Sequence, residues 1–316
     1  MKRKIALVCA AAMALSLAAC GNTTSESTTS ESTASESSSA TSEAAGTEAA
    51  ASDFDNTQSI TVVTREEGSG TRSAFIELTG VEEKNDAGEK VDNTSAGAAT
   101  QNSTNGVMTT VANDETAIGY ISLGSLNDTV KAVNVGGVAA SADTVKDGTY
   151  TLARPFNIVT NGDPTDPLAV DFINFCMSAD GQAIATEEGY IGADGAAAFE
   201  GTLPSGSITV GGSSSVSPLM EKLIEAYKAL NANANIELLT TDSTVGVSGA
   251  LDGTYTVGMA SRELQDSEVE AGAKSTVLAM DGIAVIVNPA NPISDLTTDQ
   301  IKSIYVGDTT TWDAIQ

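Results

Sequence analysis

A loop rich in glycine and small hydroxyl residues follows the first apolar strand pattern of the chain. Residues 64–72 have the sequence Thr-Arg-Glu-Glu-Gly-Ser-Gly-Thr-Arg, and a helical pattern comes directly after them. A turn from strand to helix directs free backbone N–H groups at one place, and the helix dipole favours negative charge there. The planar guanidinium of Arg65 can donate a fork of hydrogen bonds to an oxyanion. These residue types at this spacing predict an anion-binding loop.

Two more polar turns of this kind lie far downstream. Residues 208–210 form a short apolar strand pattern, and the turn 211–215 ends in three serines before a helix with Pro218 in its first turn. A second polar turn covers 241–246, and a helix is predicted from Val247. No lysine ends the glycine-rich turn, so a nucleotide-binding P-loop is excluded. What remains are helix N-termini without a cation of their own, which suit a site whose arginine comes from elsewhere.

The composition excludes several classes of protein. The chain has 316 residues, of which 15 are basic and 42 acidic, and its formal net charge is −27. A nucleic-acid partner is not expected, because binding to a phosphate backbone requires a basic surface. The chain contains no histidine, so Ser-His-Asp catalysis, Cys-His catalysis and imidazole metal sites are excluded. Hydrophobic residues at 41% with aromatic residues at only 4% favour an α/β protein. No metal or cofactor is expected.

The N-terminus has the pattern of an export signal. Three basic residues precede an apolar segment and the sequence Leu-Ala-Ala-Cys that ends at Cys20. This resembles the lipobox of bacterial lipoproteins, which implies a signal peptide over 1–19 and a lipid on Cys20; an ordinary signal peptide with a chance cysteine is the alternative. Residues 20–57 are rich in Ser, Thr, Glu and Ala, and this composition predicts a disordered tether. The protein is therefore expected on the outer face of the bacterial cytoplasmic membrane, held there by the lipid.

Several motifs in register carry a resemblance to one family. Gly-Ser-Ser-Ser-Val-Ser-Pro-Leu-Met, Asp-Ser-Thr-Val-Gly, Gly-Met-Ala-Ser-Arg-Glu-Leu and Asp-Gly-Ile-Ala-Val-Ile-Val-Asn, followed by Trp312, resemble the N-terminal half of bacterial phosphate-binding proteins. These proteins serve the phosphate-specific ABC importer. Residues 59–192, with the loop at 64–72 and the motifs Ala-Arg-Pro-Phe and Gly-Tyr-Ile, resemble the C-terminal half. The resemblance covers nearly the whole chain after the tether.

The two halves stand in reversed order compared with that family. In the family the segment near Trp312 continues directly into the strand that begins here at Ile60, whereas here a Gly/Ala-rich linker over 192–206 joins the two halves. A circular permutation accounts for this order, and it is tolerated where the original termini lie close together. Gene fragmentation or a truncated tandem copy would leave the same order and is the alternative.

The resemblance implies a circularly permuted α/β fold of the type II periplasmic-binding-protein class over 58–316. Such a fold has two lobes joined by two hinge strands, and the anion is held in the cleft between them. The expected lobes are lobe A, continuous over about 152–286, and lobe B, split between about 58–151 and 287–316. The expected hinge crossings are 281–287 and 152–160.

The resemblance also assigns a phosphate site. The family's ligands map onto seven residues of this chain: Arg65, Ser69, Gly70, Thr71, Ser214, Ser215 and Ser243. The residue types agree with that role, because an arginine and small hydroxyls supply donors and a glycine lets the backbone approach closely. The alternative is that Ser214 and Ser243 only cap helices and that Arg65 pairs with Glu66 or Glu67.

Ser261 and Arg262 are further candidates for the site. Some family members have, at the position of Arg262, an acidic residue that accepts the proton of hydrogen phosphate. Arg262 either contacts the anion or pairs with Glu263, and this departure puts the rejection of sulfate in doubt.

The function that the resemblance implies is that of an extracytoplasmic binding lipoprotein, which captures inorganic phosphate as a monomer and delivers it to an ABC permease. A receptor for sulfate, molybdate or arsenate would have the same fold, and a sensory or vestigial homologue without a transport partner is a further alternative. A hydrolase or phosphotransferase that uses Ser69 or Ser214 is excluded, because no histidine, D-x-D motif or P-loop lysine accompanies either serine.

Overall fold

The computed structural model describes residues 54–315, so the predicted signal peptide, Cys20 and the tether up to residue 53 lie outside the described residues. The strands are β1 (Thr61–Arg65), β2 (Glu82–Lys84), β3 (Lys90–Asp92), β4 (Ala99–Gln101), β5 (Ala117–Ser122), β6 (Lys131–Ala132), β7 (Asn134–Val135), β8 (Ala153–Asn161), β9 (Gly206–Ser213), β10 (Ala234–Thr241), β11 (Val257–Ala260), β12 (Ala273–Val287) and β13 (Asp295–Leu296). The α-helices are α1 (Gly70–Thr79), α2 (Thr104–Asn113), α3 (Ala142–Lys146), α4 (Pro167–Cys176), α5 (Ala179–Glu187), α6 (Ser217–Leu230), α7 (Ser243–Asp252), α8 (Asp266–Glu270) and α9 (Thr298–Val306).

The main sheet runs through both lobes. Its strand order is β10-β9-β11-β8-β12-β5-β1-β4, and β6 adds to β12. Strands β10, β9 and β11 are parallel to one another, and so are β5, β1 and β4. Strands β8 and β12 pair antiparallel with their neighbours in the middle of the order. Parallel strands require helical crossovers, and the alternation of strand, turn and helix in the chain supplies them. The arrangement confirms the predicted two-lobed α/β fold, and the permutation stays a prediction.

Strand β12 belongs to both lobes. Its residues 273–282 pair with β8, and its residues 283–287 pair with β5. The change of partner between Gly282 and Ile283 lies inside the segment 281–287 that was expected as a hinge crossing, four residues before the approximate lobe boundary at 286. The physical reason is packing, because the apolar residues of 283–287 are all buried in the core of lobe B. We therefore use lobe A for the half of the sheet that contains β8 to β11 and lobe B for the half that contains β1, β4 and β5.

The core of lobe A lies on both faces of its sheet. Helices α4, α5 and α6 cover one face, and α7 packs against the other. In α6 five apolar side chains recur at helical spacing and are buried: Leu219, Met220, Leu223, Ile224 and Tyr227. Pro218 lies in the first turn, as predicted, where its missing N–H has no helical partner to lose. The amphipathic pattern of the sequence thus sets the position of α6 on the sheet.

The core of lobe B follows the period of two in β12. Ile283, Val285 and Val287 pack on one face with side chains of α1 and α9, whereas Ala284 and Ile286 pack on the other face with α2. Because both faces are covered here, the segment 283–287 is apolar throughout instead of alternating. This packing holds α1, and with it the glycine-rich loop, against the sheet.

Two element boundaries differ from the predictions. Strand β9 continues to Ser213, so the predicted turn at 211–215 begins three residues later, at Ser214. Helix α7 begins at Ser243, four residues before the predicted start at Val247. The reason is capping, because the Asp242 carboxylate accepts a hydrogen bond from the N–H of Val245 at 2.9 Å and so satisfies an orphan donor of the first turn.

The linker over 192–206 is attached to lobe A by a buried aspartate. The Asp171 carboxylate of α4 accepts from the N–H groups of Thr202 and Leu203 at 2.7 and 3.2 Å and from the Tyr227 hydroxyl at 2.7 Å. Hydrogen bonds to a buried carboxylate are among the stronger ones in proteins. The linker therefore has defined contacts with the lobe.

The segments before β1 and near Trp312 lie side by side. The N–H of Ile60 donates to the carbonyl of Thr310 at 2.8 Å, and the N–H of Asp313 donates to the carbonyl of Asn56 at 2.9 Å. Phe54 also packs on the core of lobe B, so the described residues 54–57, which the sequence assigned to the tether, make contacts with the folded domain. The reason is that burial of a large aromatic ring against the core is stabilising, whereas a solvated tether would leave the ring exposed to water. Among the described helices, none has the length and apolar character needed to cross a membrane.

Candidate anion-binding site

The end of β1 is held in place by buried aromatic hydroxyls. The Tyr120 hydroxyl accepts from the N–H of Arg65 at 3.2 Å and lies 2.8 Å from the Thr64 hydroxyl. Burial raises the pKa of Tyr120, so its hydroxyl stays neutral at ordinary pH. The rings of Tyr120 and Phe75 are stacked with their centroids 3.9 Å apart, which ties β1 to α1. These contacts position the Arg65 backbone at the mouth of the loop.

The loop at 64–72 leads into α1 as the sequence predicts. Ser69 is the N-cap, and its hydroxyl accepts from the N–H of Arg72 at 3.3 Å. Gly70 is the first helical residue, and no acidic residue lies in the first turn. The N-terminus of α1 therefore keeps the positive end of its dipole.

Arg65 is buried and has two kinds of partner. Its side chain is 2% exposed, and its Nη2 donates to the Ser214 hydroxyl at 3.1 Å. Its Nε and Nη2 also donate to the two oxygens of the Glu66 carboxylate, at 2.8 and 2.6 Å. The predicted site contact and the alternative ion pair with Glu66 are both present. The guanidinium is thus oriented by Glu66 while one nitrogen reaches the other lobe.

The two downstream serine loops do not cap helices. Ser214 and Ser215 lie between β9 and α6, and the N-cap of α6 is Val216, which makes no side-chain capping bond. Ser243 is the first residue of α7, whose cap is Asp242. The N-cap alternative is therefore wrong for Ser214 and Ser243, and their hydroxyls are free for other partners.

Small hydroxyls from both lobes form one buried cluster, which we call the hydroxyl cluster. Its members are Thr71, Thr104, Ser213, Ser214, Ser215, Ser243 and Ser261. The Thr71 hydroxyl of lobe B lies 2.8 Å from that of Ser215 in lobe A. The Thr104 hydroxyl, at the start of α2 in lobe B, lies 3.2 Å from the same Ser215 oxygen. The cluster thus spans the cleft between the lobes.

The serines of lobe A are also connected to one another. The Ser213 hydroxyl donates to the Ser261 hydroxyl at 3.0 Å. The N–H of Ser261 donates to the Ser243 hydroxyl at 3.0 Å, and the two hydroxyl oxygens are 3.4 Å apart. Three separate turns of lobe A therefore meet beside the loop of lobe B.

Gly70 permits this close approach of the lobes. A Cβ atom at this position would lie 2.4 Å from the Ser243 Oγ and 2.8 Å from the Ser261 Oγ. Both oxygens belong to the opposite lobe, and no larger residue fits without a shift. The structure thus brings together Arg65, Gly70, Thr71, Ser214, Ser215, Ser243 and Ser261, whereas the Ser69 hydroxyl caps α1, and the role of all these residues as ligands stays a prediction.

Arg262 has a different environment from the cluster. Its guanidinium donates to both oxygens of the Glu268 carboxylate, at 2.8 and 2.7 Å, and to the carbonyl of Glu263 at 2.9 Å. Burial alone would raise the pKa of Glu268, but hydrogen bonds from Arg262 and the Gln265 N–H outweigh it and lower the pKa. The side-chain partner is therefore Glu268 and not the Glu263 carboxylate that the sequence suggested.

Sequence reasoning missed two cluster members and a buried ion pair. Thr104 and Ser213 lie in the cluster, although neither was singled out. Arg154 and Asp281 are 2% and 1% exposed and form an ion pair at 3.1 Å. A charged residue inside an otherwise apolar strand is the signal that could have found the pair, because burial of a charge requires a partner.

Burial removes water from both charged groups of the ion pair and shifts their pKa values. Burial raises the pKa of Asp281 to about 6, even though the Arg154 charge and the Ser122 hydroxyl act in the opposite direction. The same burial lowers the pKa of Arg154, opposed by the Asp281 charge. The Arg154 guanidinium also reaches the hydroxyl cluster, because its Nη1 donates to the Ser261 hydroxyl at 3.3 Å.

The chemistry of the site is that of binding an anion. Within residues 54–315 no group of histidine, cysteine, aspartate and glutamate side chains is arranged to hold a metal ion. The cluster offers hydroxyl donors, helix N-termini and the Arg65 guanidinium between two lobes, which is where a ligand is enclosed when lobes close. The fold and the site together define a two-lobed solute-binding protein.

Comparisons with known proteins support the assignment to this class of solute-binding proteins. A family model described as a PBP superfamily domain matches residues 23–180 and 197–315. Phosphate-binding protein PstS 2 of Streptococcus agalactiae serotype V is 50% identical over 254 residues, which are 80% of this chain and 87% of that protein. Phosphate-binding protein PstS 2 of Streptococcus pneumoniae serotype 4 is 44% identical over 82% of this chain and 88% of its own length.

A solved structure extends the comparison to three dimensions. The crystal structure of a phosphate-binding protein of a phosphate ABC transporter from Streptococcus pneumoniae TIGR4 has a TM-score of 0.65 with this chain and is 44% identical to it. The match covers 82% of this chain and 100% of that one. The chain belongs to the PBP superfamily, in the family of these PstS phosphate-binding proteins.

Proposed function

We propose that this protein is an extracytoplasmic solute-binding lipoprotein that captures inorganic phosphate between its lobes and delivers it to an ABC permease. It acts as a monomer, without catalysis, and is anchored through a lipid on Cys20. The phosphate ligands are Arg65, Ser69, Gly70 and Thr71 from lobe B and Ser214, Ser215 and Ser243 from lobe A.

One observation carries this proposal. The buried Arg65 guanidinium contacts Ser214 across the cleft at 3.1 Å, inside a cluster of hydroxyls that both lobes supply. A buried cation that Glu66 orients, next to neutral hydroxyl donors, suits a small tetrahedral oxyanion, since each oxygen of the anion can accept from several donors. Further support comes from the relatives, which are named as phosphate-binding proteins.

The affinity follows from the number of donors. Hydrogen bonds to a charged group contribute about 1.5–3 kcal/mol each. About six of them, less the cost of desolvation and of ordering the lobes, reach the roughly 8 kcal/mol of micromolar binding. The net charge of −27 offers no long-range attraction for an anion, so capture depends on local dipoles and Arg65.

Calorimetry on the purified protein tests the proposal. We expect one phosphate to bind per monomer with a micromolar dissociation constant that changes less than about threefold between low and high salt, because the interacting groups are buried. Sulfate and molybdate in competition titrations identify the preferred oxyanion. A folded monomer that releases no heat with phosphate would contradict the phosphate assignment, and tight binding of sulfate alone would transfer it to that anion.

We also propose that the order of the two halves is a working circular permutation. The segment around Thr310 and the start of β1, which are consecutive in the family order, are hydrogen-bonded neighbours here. The streptococcal relatives match about four fifths of the chain in a single alignment, which supports an order shared with them. The linker contacts of Asp171 support a joined segment that has adapted to the fold.

A rearranged chain tests the permutation. In it residues 207–315 precede residues 56–191, with a short flexible connection between the two pieces. Because the joined ends already lie side by side, we expect the rearranged protein to fold and to bind phosphate within about threefold of the original affinity. An unchanged far-UV circular dichroism spectrum is the folding control. A rearranged chain that stays unfolded would contradict the permutation.

A further inference from the structure

The buried ion pair of Arg154 and Asp281 lies where the sheet passes from one lobe to the other. Arg154 of β8 and Asp281 of β12 are cross-strand partners. The next residue of β12, Gly282, is the last to pair with β8, and Ile283 is the first to pair with β5, opposite Ser122. The pair thus occupies the hinge and not the glycine-rich loop or the serine turns.

A continuous series of hydrogen bonds runs from this hinge to the hydroxyl cluster. The Ser122 hydroxyl of lobe B donates to the Asp281 Oδ1 at 2.9 Å. The Arg154 Nε and Nη2 donate to the Asp281 Oδ2 at 3.2 and 3.1 Å. The third nitrogen, Nη1, donates to the Ser261 hydroxyl at 3.3 Å. The Arg154 guanidinium therefore donates both to the Asp281 carboxylate at the hinge and to the Ser261 hydroxyl of the cluster.

This contact decides how the Ser261 hydroxyl uses its proton. A serine hydroxyl has one donor and two acceptor positions. The Ser261 oxygen accepts from Arg154 at 3.3 Å and from the Ser213 hydroxyl at 3.0 Å, so both acceptor positions are used. Its own proton must then be donated. The Ser213 oxygen is itself the donor to Ser261, so the next cluster oxygen is that of Ser243 at 3.4 Å, and this oxygen already accepts from the Ser261 N–H.

We propose that Arg154, held by Asp281, is a positioning residue that makes the Ser261 hydroxyl an obligatory donor to the bound oxyanion. Arg154 acts through Ser261 and does not itself contact the anion. The inference rests on the proposed function, since it assumes that the hydroxyl cluster holds an oxyanion. If Arg154 has this role, a residue at the hinge contributes to a site that is otherwise formed by loops and helix N-termini.

The structure also indicates how to remove Arg154 without leaving a buried charge unpaired. Loss of one partner of a buried ion pair is strongly destabilising, whereas neutral replacement of both partners is tolerated. The pair variant is therefore Arg154→Met with Asp281→Asn, in which the asparagine can still accept from Ser122. The second variant is Arg154→Lys, which keeps the charge, although a single ammonium nitrogen cannot span both the carboxylate and the Ser261 hydroxyl.

A mutant cycle with calorimetric phosphate titrations tests the proposal. We expect the pair variant, Arg154→Lys and Ser261→Ala each to weaken phosphate binding about tenfold, which corresponds to one hydrogen bond to a charged group. Combining either Arg154 change with Ser261→Ala is expected to weaken binding by no more than about twofold further, because both changes remove the same donor. Asp171→Asn is the matched control, since it alters a buried carboxylate remote from the cluster and should leave affinity unchanged.

The outcomes separate this proposal from the proposed function. Losses that multiply to about a hundredfold in the combined variants would show that Arg154 acts independently of Ser261, and they would overturn the inference. Wild-type phosphate affinity in Arg154→Lys would overturn the inference as well. If the pair variant does not unfold cooperatively, and so is not properly folded, Arg154→Lys alone serves as the test. A wild-type protein without phosphate affinity would instead overturn the proposed function and this inference with it.

Discussion

Arg65→Met is expected to abolish measurable phosphate binding. The variant loses the only guanidinium that donates into the cleft from the loop at 64–72, where Arg65 reaches Ser214 at 3.1 Å. Two hydrogen bonds to a charged ligand contribute together about 3–6 kcal/mol, so affinity should fall by on the order of 10²–10⁴-fold. The carboxylate of Glu66 would also remain beside the site without its partner and would repel the anion.

Calorimetry against phosphate measures this loss directly. The matched control is Lys274→Met, which removes one positive charge from an exposed ion pair with Asp163 and leaves the cleft intact. Surface ion pairs contribute little, so the control is expected to bind phosphate as the wild type does. Equal losses in the two variants would assign the effect to net charge and not to the site. Full affinity in Arg65→Met would remove Arg65 from the ligand set.

Gly70→Ala is expected to prevent the lobes from closing on the anion. The added Cβ would lie 2.4 Å from the Ser243 Oγ and 2.8 Å from the Ser261 Oγ, both in the opposite lobe. Overpacking costs about 1–3 kcal/mol, and each displaced donor to the anion costs about 1.5–3 kcal/mol more. We expect phosphate affinity to fall by on the order of 10²–10³-fold.

The stability of the variant distinguishes a closure defect from misfolding. Gly70 begins α1, and alanine is a better helix former than glycine, so the thermal midpoint of the phosphate-free protein should not fall. Gly97→Ala is the control, since its Cβ would meet nothing closer than the Ser95 Oγ at 3.7 Å. Phosphate affinity within threefold of wild type in Gly70→Ala would show that the close approach at this residue is not needed for binding.

The parts of the fold that depend on neighbouring residues could be predicted well. The strand, turn and helix at 61–79 follow from an apolar run, a Gly/Ser turn and a helical pattern, all within one short window. The start of α7 at Ser243 could also have been predicted, because Asp242 directly before it is a residue type that favours the N-cap position. The change of partner in β12 was expected only from the family resemblance, which placed a hinge crossing at 281–287, because an apolar strand segment looks the same whichever strand it pairs with.

The residues of the candidate site also fall into two groups, those that local sequence could predict and those that depend on distant contacts. Arg65, Ser69, Gly70 and Thr71 form a local motif, and the serine turns repeat its chemistry, so residue type and spacing were sufficient to nominate them. Arg154 and Asp281 are separated by 127 residues and lie in two different strands. A charge in a mostly apolar stretch signals that it needs a partner, but only the pairing of β8 with β12 decides which residue that partner is.

The sequence by itself determined the class of the protein, the absence of histidine chemistry and the residues that offer donors to an anion. These depend on composition and on short motifs, which need no knowledge of distant contacts. Only the tertiary structure decided that Arg65 is shared between Glu66 and Ser214, that Arg262 is paired with Glu268, and that the hinge is tied to Ser261 through Arg154. The physical reason is that hydrogen bonds reach only about 3 Å, so the partner of a side chain is set by how the lobes and strands pack.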